Sequence, residues 1–340
     1  MNILFTGAGR RNYVIEDFKD AVHPLGGSVI AMNSHAGSPS LAEADQSFVS
    51  PLASDPQFPE YLLDVCSKYK VNALCTLIDT DMPVLSGLRH ELALLGTRLI
   101  LPDGNGLHIC RDKMLMCRWL EAQDLPVLKA FSCVGDALVA LDAGILLFPL
   151  IIKPRFGTGS FATYKVHDEE ELAVMARRAI REQEDSSPQK ALGNGSEEIL
   201  IIQPFIHGTE YNLDVVNDLK GRYQCTIIKE KISMRSGETD IAVTRSLPEL
   251  EELGHRLSAS LQHPFLLDVD LIMHDEQPFV LDMNPRIGGG YPFGRLAGVK
   301  YAEALVRWLV DDEADASSIL IPGIDVMSMK GISIHPAPDL

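Results

Sequence analysis

An α/β sheet followed by an α+β region is the fold class that this 340-residue sequence predicts. Three observations predict it. Over the first hundred residues, short apolar runs alternate with helical periodicities, the pattern of a parallel sheet with crossover helices. Later in the chain, strand-like runs follow one another across short turns, the pattern of an antiparallel sheet. A hydrophobic content of 46% without a low-complexity tract supplies enough apolar surface for two or three domain-sized cores.

Each element follows from its own stretch of sequence. NILFTGAG gives a first strand, a helix runs from about Asn12 to Ala21, and SVIAMN and SFVSP give two further strands. PEYLLDVCSKYK reads as a helix, NALCTLI as a strand, MPVLSGLRHELALLG as a helix and RLILP as a strand. The turn GAGRR invites a dinucleotide reading, but G-x-G-x-x-G needs glycine where Asn12 stands, and the second strand ends in Asn33 rather than an acid for the ribose. A tight βα turn accounts for those glycines, and neither NAD nor FAD is expected. From about Leu107 the pattern changes, with HICRDKMLMCRWLEAQDLP as one long helix ending at Leu125-Pro126. LFPLIIKPRFGTGSFATYKV sets two β-rich runs around a glycine-containing loop, DEEELAVMARRAIRE is an acidic helix, and EDSSPQKALGNGSEE is a polar surface loop. ILIIQPFI, TEYNLDVVND and RYQCTIIKEKI then read as three strands of one antiparallel sheet. The helix SLPELEELGHRLSASLQ and the hairpin FLLDVDLIMHDEQPFVLDMN complete it.

Composition excludes several functions. A formal net charge of -17, with no basic stripe, would repel a phosphate backbone, so nucleic acid is not an expected partner. The six cysteines, Cys66, Cys75, Cys110, Cys117, Cys133 and Cys225, form no C-x-x-C pair and no zinc spacing, and the N-terminus lacks a long apolar leader; a reduced, cytoplasmic protein is expected. The most apolar run, ALVALDAGILLFPLIIKP, is interrupted by Asp142, Gly144 and Pro149, so no membrane anchor is expected.

The hairpin carries the first chemistry. Its two strands would bring Asp270 near Asp282, with Asp268 on the face of Asp270, and Asn284 and Arg286 on that of Asp282. Carboxylate and amide oxygens suit a hard cation such as magnesium, with manganese as an alternative, and an arginine beside them would neutralise charge on a transferring phosphoryl group. Asp282 and Asn284 could equally open a turn before Pro285. KPRFGTGS places Lys153, Gly157, Gly159 and Ser160 where backbone N–H groups and an ammonium could cradle phosphates, although the P-loop order is absent and a glycine-rich hairpin tip would look similar. Lys113 by itself reads as a surface lysine. Arg10 and Arg11 could capture an anion or merely offset an acidic chain. Asp79 and Asp81, at a strand's C-terminal end, could orient an amine, or Asp81 could cap the next helix.

Taken in order, Asp112-Lys113, IIKPRFGTGS, IIQPFIHGTEYNLDVV, KISMRSGETD and DVDLI followed by VLDMNPRIGGGYP resemble the ATP-grasp superfamily, in the form of carbamoyl-phosphate-synthase-like, single-domain carboxylate–amine ligases. The resemblance spans essentially the whole chain. It implies a Rossmann-like pre-ATP-grasp domain over residues 1–106, then a two-lobed fold with a lid-bearing lobe over 107–197 and a metal-bearing lobe over 198–340. It also implies that Lys113 and Lys153 bind phosphate beneath a lid of Gly157, Thr158, Gly159 and Ser160. Gln203 would stand near the adenine amino group where relatives often carry glutamate, and the backbone of Phe205 and Ile206 would read the adenine edge. Glu210 matches the ribose-binding acid. Asp270, Asp282 and Asn284 match the magnesium ligands, with aspartates where many relatives have glutamates. Arg286 matches the arginine that stabilises the acyl-phosphate transition state, Gly288 to Gly290 a glycine run beside the acceptor, and Arg235 an arginine facing the γ-phosphate or substrate.

The implied reaction is ATP-dependent joining of a small carboxylate to an amine through an acylphosphate. The alternatives are a carbamoyl-phosphate-type or small-molecule kinase activity, and an ATP-binding subunit without turnover. A homodimer is compatible with this reading.

Overall fold

The computed structural model describes residues 1–157, 159, 161–185, 199–235 and 237–331. Thr158, Ser160 and most of the polar stretch expected as a loop, residues 186–198, lie outside the described residues. β1 (Asn2–Thr6), α1 (Asn12–Val22), β2 (Ser28–Asn33), α2 (Pro39–Glu43), β3 (Gln46–Val49), α3 (Phe58–Lys68) and β4 (Ala73–Thr76) alternate as the apolar periodicities predict. α4 (Met82–Gly87) and α5 (Arg89–Leu94) precede β5 (Arg98–Leu99), so the helix expected from Met82 to Gly96 is two helices, parted where Gly87 weakens the run. The five strands are parallel, in the order β3-β2-β1-β4-β5. The direction of winding reverses between β1 and β4, the switch point where open α/β sheets hold ligands beyond the strand ends.

α6 (Gly104–Arg111) and α7 (Lys113–Ala122) replace the single long helix expected there. The break lies at Asp112, whose carboxylate accepts from the backbone N–H of Met114 at 3.0 Å and of Leu115 at 3.1 Å. That N-cap satisfies donors which a continuous helix would have used differently. α8 (Val134–Asp142), β6 (Leu150–Pro154), β7 (Tyr164–Val166), α9 (Glu169–Asp185) and β8 (Leu200–Pro204) form a small lobe. Its antiparallel sheet, β7-β6-β8, packs Leu150, Ile152 and Ile202 against Leu172 and Ala176 of α9. ILIIQPFI is therefore not in one sheet with the two strands that follow it. Its apolar run gains more by pairing with β6, where Ile202 lies opposite Ile152, and alternation alone does not name a strand's neighbour.

β9 (Thr209–Asn217), β10 (Tyr223–Arg235), β11 (Glu238–Arg245), α10 (Pro248–Leu261), β12 (Leu266–His274), β13 (Gln277–Asn284), α11 (Tyr291–Leu296), α12 (Tyr301–Val310) and β14 (Met327–Met329) form the last region. Its six strands are antiparallel, in the order β13-β12-β9-β10-β11-β14. The β12–β13 hairpin turns through Asp275 and Glu276, both left-handed at φ 47° and 62°, as a two-residue hairpin loop requires. Beyond the turn the pairing slips once, because Leu271 faces Val280 while Asp270 faces Asp282, which makes Leu281 the extra residue of a β-bulge. Trp308, Leu305 and Tyr301 of α12 join Phe5 and Phe18 of the parallel-sheet domain to Val216 and Ile227 of the six-stranded sheet in one core. α7 and α10 cover a second core around Leu213, Val269 and Leu271.

Candidate functional site

The small lobe and the six-stranded sheet enclose a cleft of about 310 Å³. Lys153, Gly157, Gly159 and Gln203 line it from the small lobe, and Phe205 and Ile206 from the chain leaving β8. Glu210, Asp270 and Asp282 line it from the opposite sheet, and Lys113 enters at the start of α7. Ten residues that lie far apart in the sequence thus share one wall or another of a single cleft.

Local structure aims each lysine. Arg155 grips Asp112 with two bonds of 2.7 Å, and the Lys113 N–H donates to the Arg155 carbonyl at 3.1 Å, which ties the start of α7 to the end of β6. Lys113 Nζ then donates to the Gly157 carbonyl at 2.7 Å and lies 3.2 Å from Asp282 Oδ1. Lys153 Nζ donates to the Leu281 carbonyl at 3.1 Å, the carbonyl that the bulge turns out of the ladder. Burial, and then the neighbouring Lys113, push the Lys153 ammonium down to about 8, so this group holds its proton only weakly before an anion arrives. Gln203 is buried and donates to the Leu128 carbonyl at 3.4 Å, while Lys165 stacks 3.6 Å above the Phe205 ring.

The bulge sets the acidic wall. It puts Asp282 directly opposite Asp270 and Asn284 opposite Asp268, so four oxygen-bearing side chains share one face. Asn212 on β9 donates through Nδ2 to Asp268 at 2.6 Å and to Asp270 at 3.0 Å, and Lys231 on β10 lies 2.7 Å from Asp270 and 3.7 Å from Glu210. Burial opposes the Asp270 charge, but Lys231 and the Asn212 bond outweigh it and hold this carboxyl below the usual carboxylate range. For Asp268, burial and the Asp270 charge win over Arg286 and push the carboxyl up to about 6. Among the described residues no three His, Cys, Asp or Glu side chains are grouped to hold a metal; the candidate set here is two carboxylates and an amide. Asp282 Oδ1 is buried without a hydrogen bond, since Lys113 is close but not aligned, and an oxygen left so is one a cation can satisfy. The donor set therefore fits a hard divalent cation.

Arg286 does not line the cleft itself; it lies beside the acidic wall, within electrostatic reach of Asp268 and Asp282, on the side that meets the parallel-sheet domain. It meets Asp79 at 3.0 Å and Asp268 at 3.5 Å, and although burial disfavours its charge, Asp79 and Asp268 raise its affinity for the proton. Arg11 also turns inward, donating to the carbonyls of Leu77 and Ile287, while Arg10 is exposed. Asp81 does not cap α4; it is buried, lies 3.4 Å from Thr80 Oγ1, and is pushed up to about 6 by that burial. Asn284 is buried on the same face and is not among the residues that line the cleft. Arg235 does not join the cleft: β10 carries its side chain out to solvent, where it pairs with Asp240 at 2.7 Å. Asn212 and Lys231 are the site residues that sequence reasoning missed. Their signal was present, because polar side chains at alternate positions of EYNLDVV and KEKI mark a face that a purely structural strand would fill with apolar groups.

A parallel-sheet domain, a small antiparallel lobe and a larger antiparallel lobe that close on lysines and carboxylates define an ATP-grasp architecture. The chain has the ATP-grasp fold, and two stretches of it match known families: residues 3–100 match the family described as PylC-like, N-terminal domain, and residues 196–332 the family described as ATP-grasp in the biosynthetic pathway with Ter operon. Three solved structures are similar in fold. The biotin carboxylase domain of Hydrogenobacter thermophilus 2-oxoglutarate carboxylase, determined with MgADP and bicarbonate, is 16% identical over 96% of this chain and 73% of that one, with a TM-score of 0.73. L-amino acid ligase from Bacillus licheniformis is 17% identical over 96% and 79%, with a TM-score of 0.72. N5-carboxyaminoimidazole ribonucleotide synthetase from Thermotoga maritima is 17% identical over 94% and 79%, with a TM-score of 0.68.

Proposed function

We propose that the protein is an ATP-dependent ligase that activates a small carboxylate as an acylphosphate and joins it to an amine, releasing ADP and phosphate. The observation that carries this reading is the convergence of Lys113, Lys153, Asp270 and Asp282 on one cleft between two lobes. The likeness in fold to an L-amino acid ligase and to a carboxyaminoimidazole ribonucleotide synthetase supports it.

In this reading Gln203, the Phe205 carbonyl and Ile206 hold adenine, because the Phe205 N–H is already committed to the Pro149 carbonyl at 2.9 Å. Glu210 takes the ribose hydroxyls, and Lys113 and Lys153 the phosphates. Asp270, Asp282 and Asn284 would hold magnesium, which when bound neutralises phosphate charge. A substrate carboxylate oxygen attacks the γ-phosphorus and ADP leaves; the amine nitrogen then attacks the acyl carbon, loses a proton and expels phosphate. Arg286 stabilises the charge that builds during transfer, and bringing the anions together is the main barrier that the chain's positive groups lower. Lys153 is suited to this: lowered to about 8, it is still mostly charged at neutral pH and can meet the phosphates as an ammonium, and a bound phosphate would hold that proton to higher pH.

Asp282→Asn tests the reading, since the amide keeps the shape and removes the charge. Across a panel of amino acids and small carboxylates, including bicarbonate, the wild-type protein should release ADP in an acceptor-dependent way. The variant should lose about 10²-fold or more of that rate while melting normally. A variant that melts normally and turns over undiminished would remove the metal site, and the ligase mechanism with it.

A further inference from the structure

Two arginines cross the junction between the parallel-sheet domain and the glycine run, in opposite directions. Arg11, on the turn after β1, donates through Nη1 to the Leu77 carbonyl of its own domain at 2.6 Å and to the Ile287 carbonyl of the other at 3.1 Å. Arg286 reaches back: its Nε donates to the two Asp79 oxygens at 3.2 and 3.0 Å, and its Nη2 lies 3.0 Å from Oδ2. Among the described residues that line the nucleotide cleft, none precedes Lys113. Through Asp79 the N-terminal domain holds Arg286, the residue given the charge-stabilising role above.

The Asp79 loop is fixed in place. Thr76 and Ile78 exchange hydrogen bonds of 3.1 and 3.3 Å, Arg11 holds the Leu77 carbonyl, and the loop lies so close to Gly7 that a Cβ there would collide with Ile78. A guanidinium held by one carboxylate along its Nε–Nη2 edge has its plane fixed. Its Nη1 is then left facing Asp268 Oδ2 at 3.5 Å and the Ile287 carbonyl at 3.3 Å. The Arg286 side chain is 7% exposed and that of Asp79 17%, so water competes little for the pair.

We propose that Asp79 is a positioning residue: its carboxylate holds the Arg286 guanidinium in the orientation that meets the transferring phosphoryl group. This rests on the role given to Arg286 above. A pinned loop favours holding over swinging aside for a substrate carboxylate, which is the competing role for an acid in this place.

The test is calorimetric binding of MgADP with and without aluminium fluoride, which stands in for a phosphoryl group in transfer, by the full-length protein. The wild-type protein should bind more tightly when fluoride is present. Asp79→Asn should keep its MgADP affinity and melting temperature and lose about tenfold or more of that gain. Arg286→Lys should lose the gain as well, and adding Asp79→Asn to it should cost nothing further, because Asp79 acts only through the arginine. Asp79→Glu, which keeps the charge and displaces it, should lose part of the gain and serves if the amide variant folds poorly. A gain that depends on Arg286 and not on Asp79 overturns this proposal alone. So do losses that multiply in the double variant, or a tighter fluoride complex in Asp79→Asn, which would mean that the carboxylate competes for the arginine. A wild-type protein with no gain overturns the ligase reading and this proposal together.

Discussion

Lys153 shows how a single residue turns burial into pH dependence. Burial first, and Lys113 second, lower its proton affinity from the ordinary 10.5 to about 8. The folded-state value lies below the unfolded one, so between about pH 8 and 10.5 the unfolded chain holds the extra proton. The group therefore opposes folding fully below pH 8, and that penalty fades as pH rises through this window. Nucleotide affinity runs the other way, since phosphate needs the charged ammonium. MgADP affinity, measured by calorimetry from pH 7 to 9.5, should fall as pH rises through about 8, with proton uptake on binding; Lys153→Met should bind weakly at every pH and lose the slope. At this scale the residues themselves offered Lys153, Asp270 and Asp282 as candidates, whereas Lys113, alone a surface lysine, entered only through the resemblance; the structure brings all four to one cleft. The sequence was not legible where a side chain's meaning depends on what lies across a junction, as for Asp79, whose partner Arg286 is 207 residues away.

Elements decide which of these side chains meet. The glycine run after β13 is required by contact rather than by unusual backbone: a Cβ on Gly288 would run into the Asp268 carboxylate, and one on Gly290 into Asn212 and Lys229. Gly288→Ala should therefore overpack the layer beneath Arg286, costing about 1–3 kcal/mol in denaturant unfolding and lowering ADP release more than MgADP affinity. The bulge at Leu281 is equally local in its effect, because a regular hairpin would set Asp282 opposite Val269 and turn it to the apolar face. Apolar–polar alternation predicts the hairpin and its two acids but carries no mark for one surplus residue. The same limit explains β8. Its apolar run was plain, yet whether it pairs with β6 or β9 depends on a crossover that periodicity does not encode. Asp112, by contrast, carried a capping signal that a long apolar helical period obscured.

At the scale of the whole molecule, the parallel-sheet domain and the six-stranded sheet share a core through α12, whereas the small lobe has one of its own. Trp308→Ala should cost about 3–5 kcal/mol and raise hydrogen exchange in α1 and α12 together, with the amides of β6 and β7 unaffected. Alternating elements in the first hundred residues predicted the domain itself; that its core continues into a helix two hundred residues later was not visible, since any apolar helix face could have closed it. The switch point between β1 and β4 has a further consequence. In a free-standing sheet of this kind that crevice waits for a diffusing molecule, but here the Ile287 carbonyl and Arg286 come to it from the same chain. The glycine-run segment is in effect an internal ligand for the N-terminal domain, held there by the core that the two regions share rather than by a free equilibrium. A dinucleotide would have to outcompete a resident that never diffuses away, and the pocket that the fold offers to others is spent on holding the chain's own halves in register.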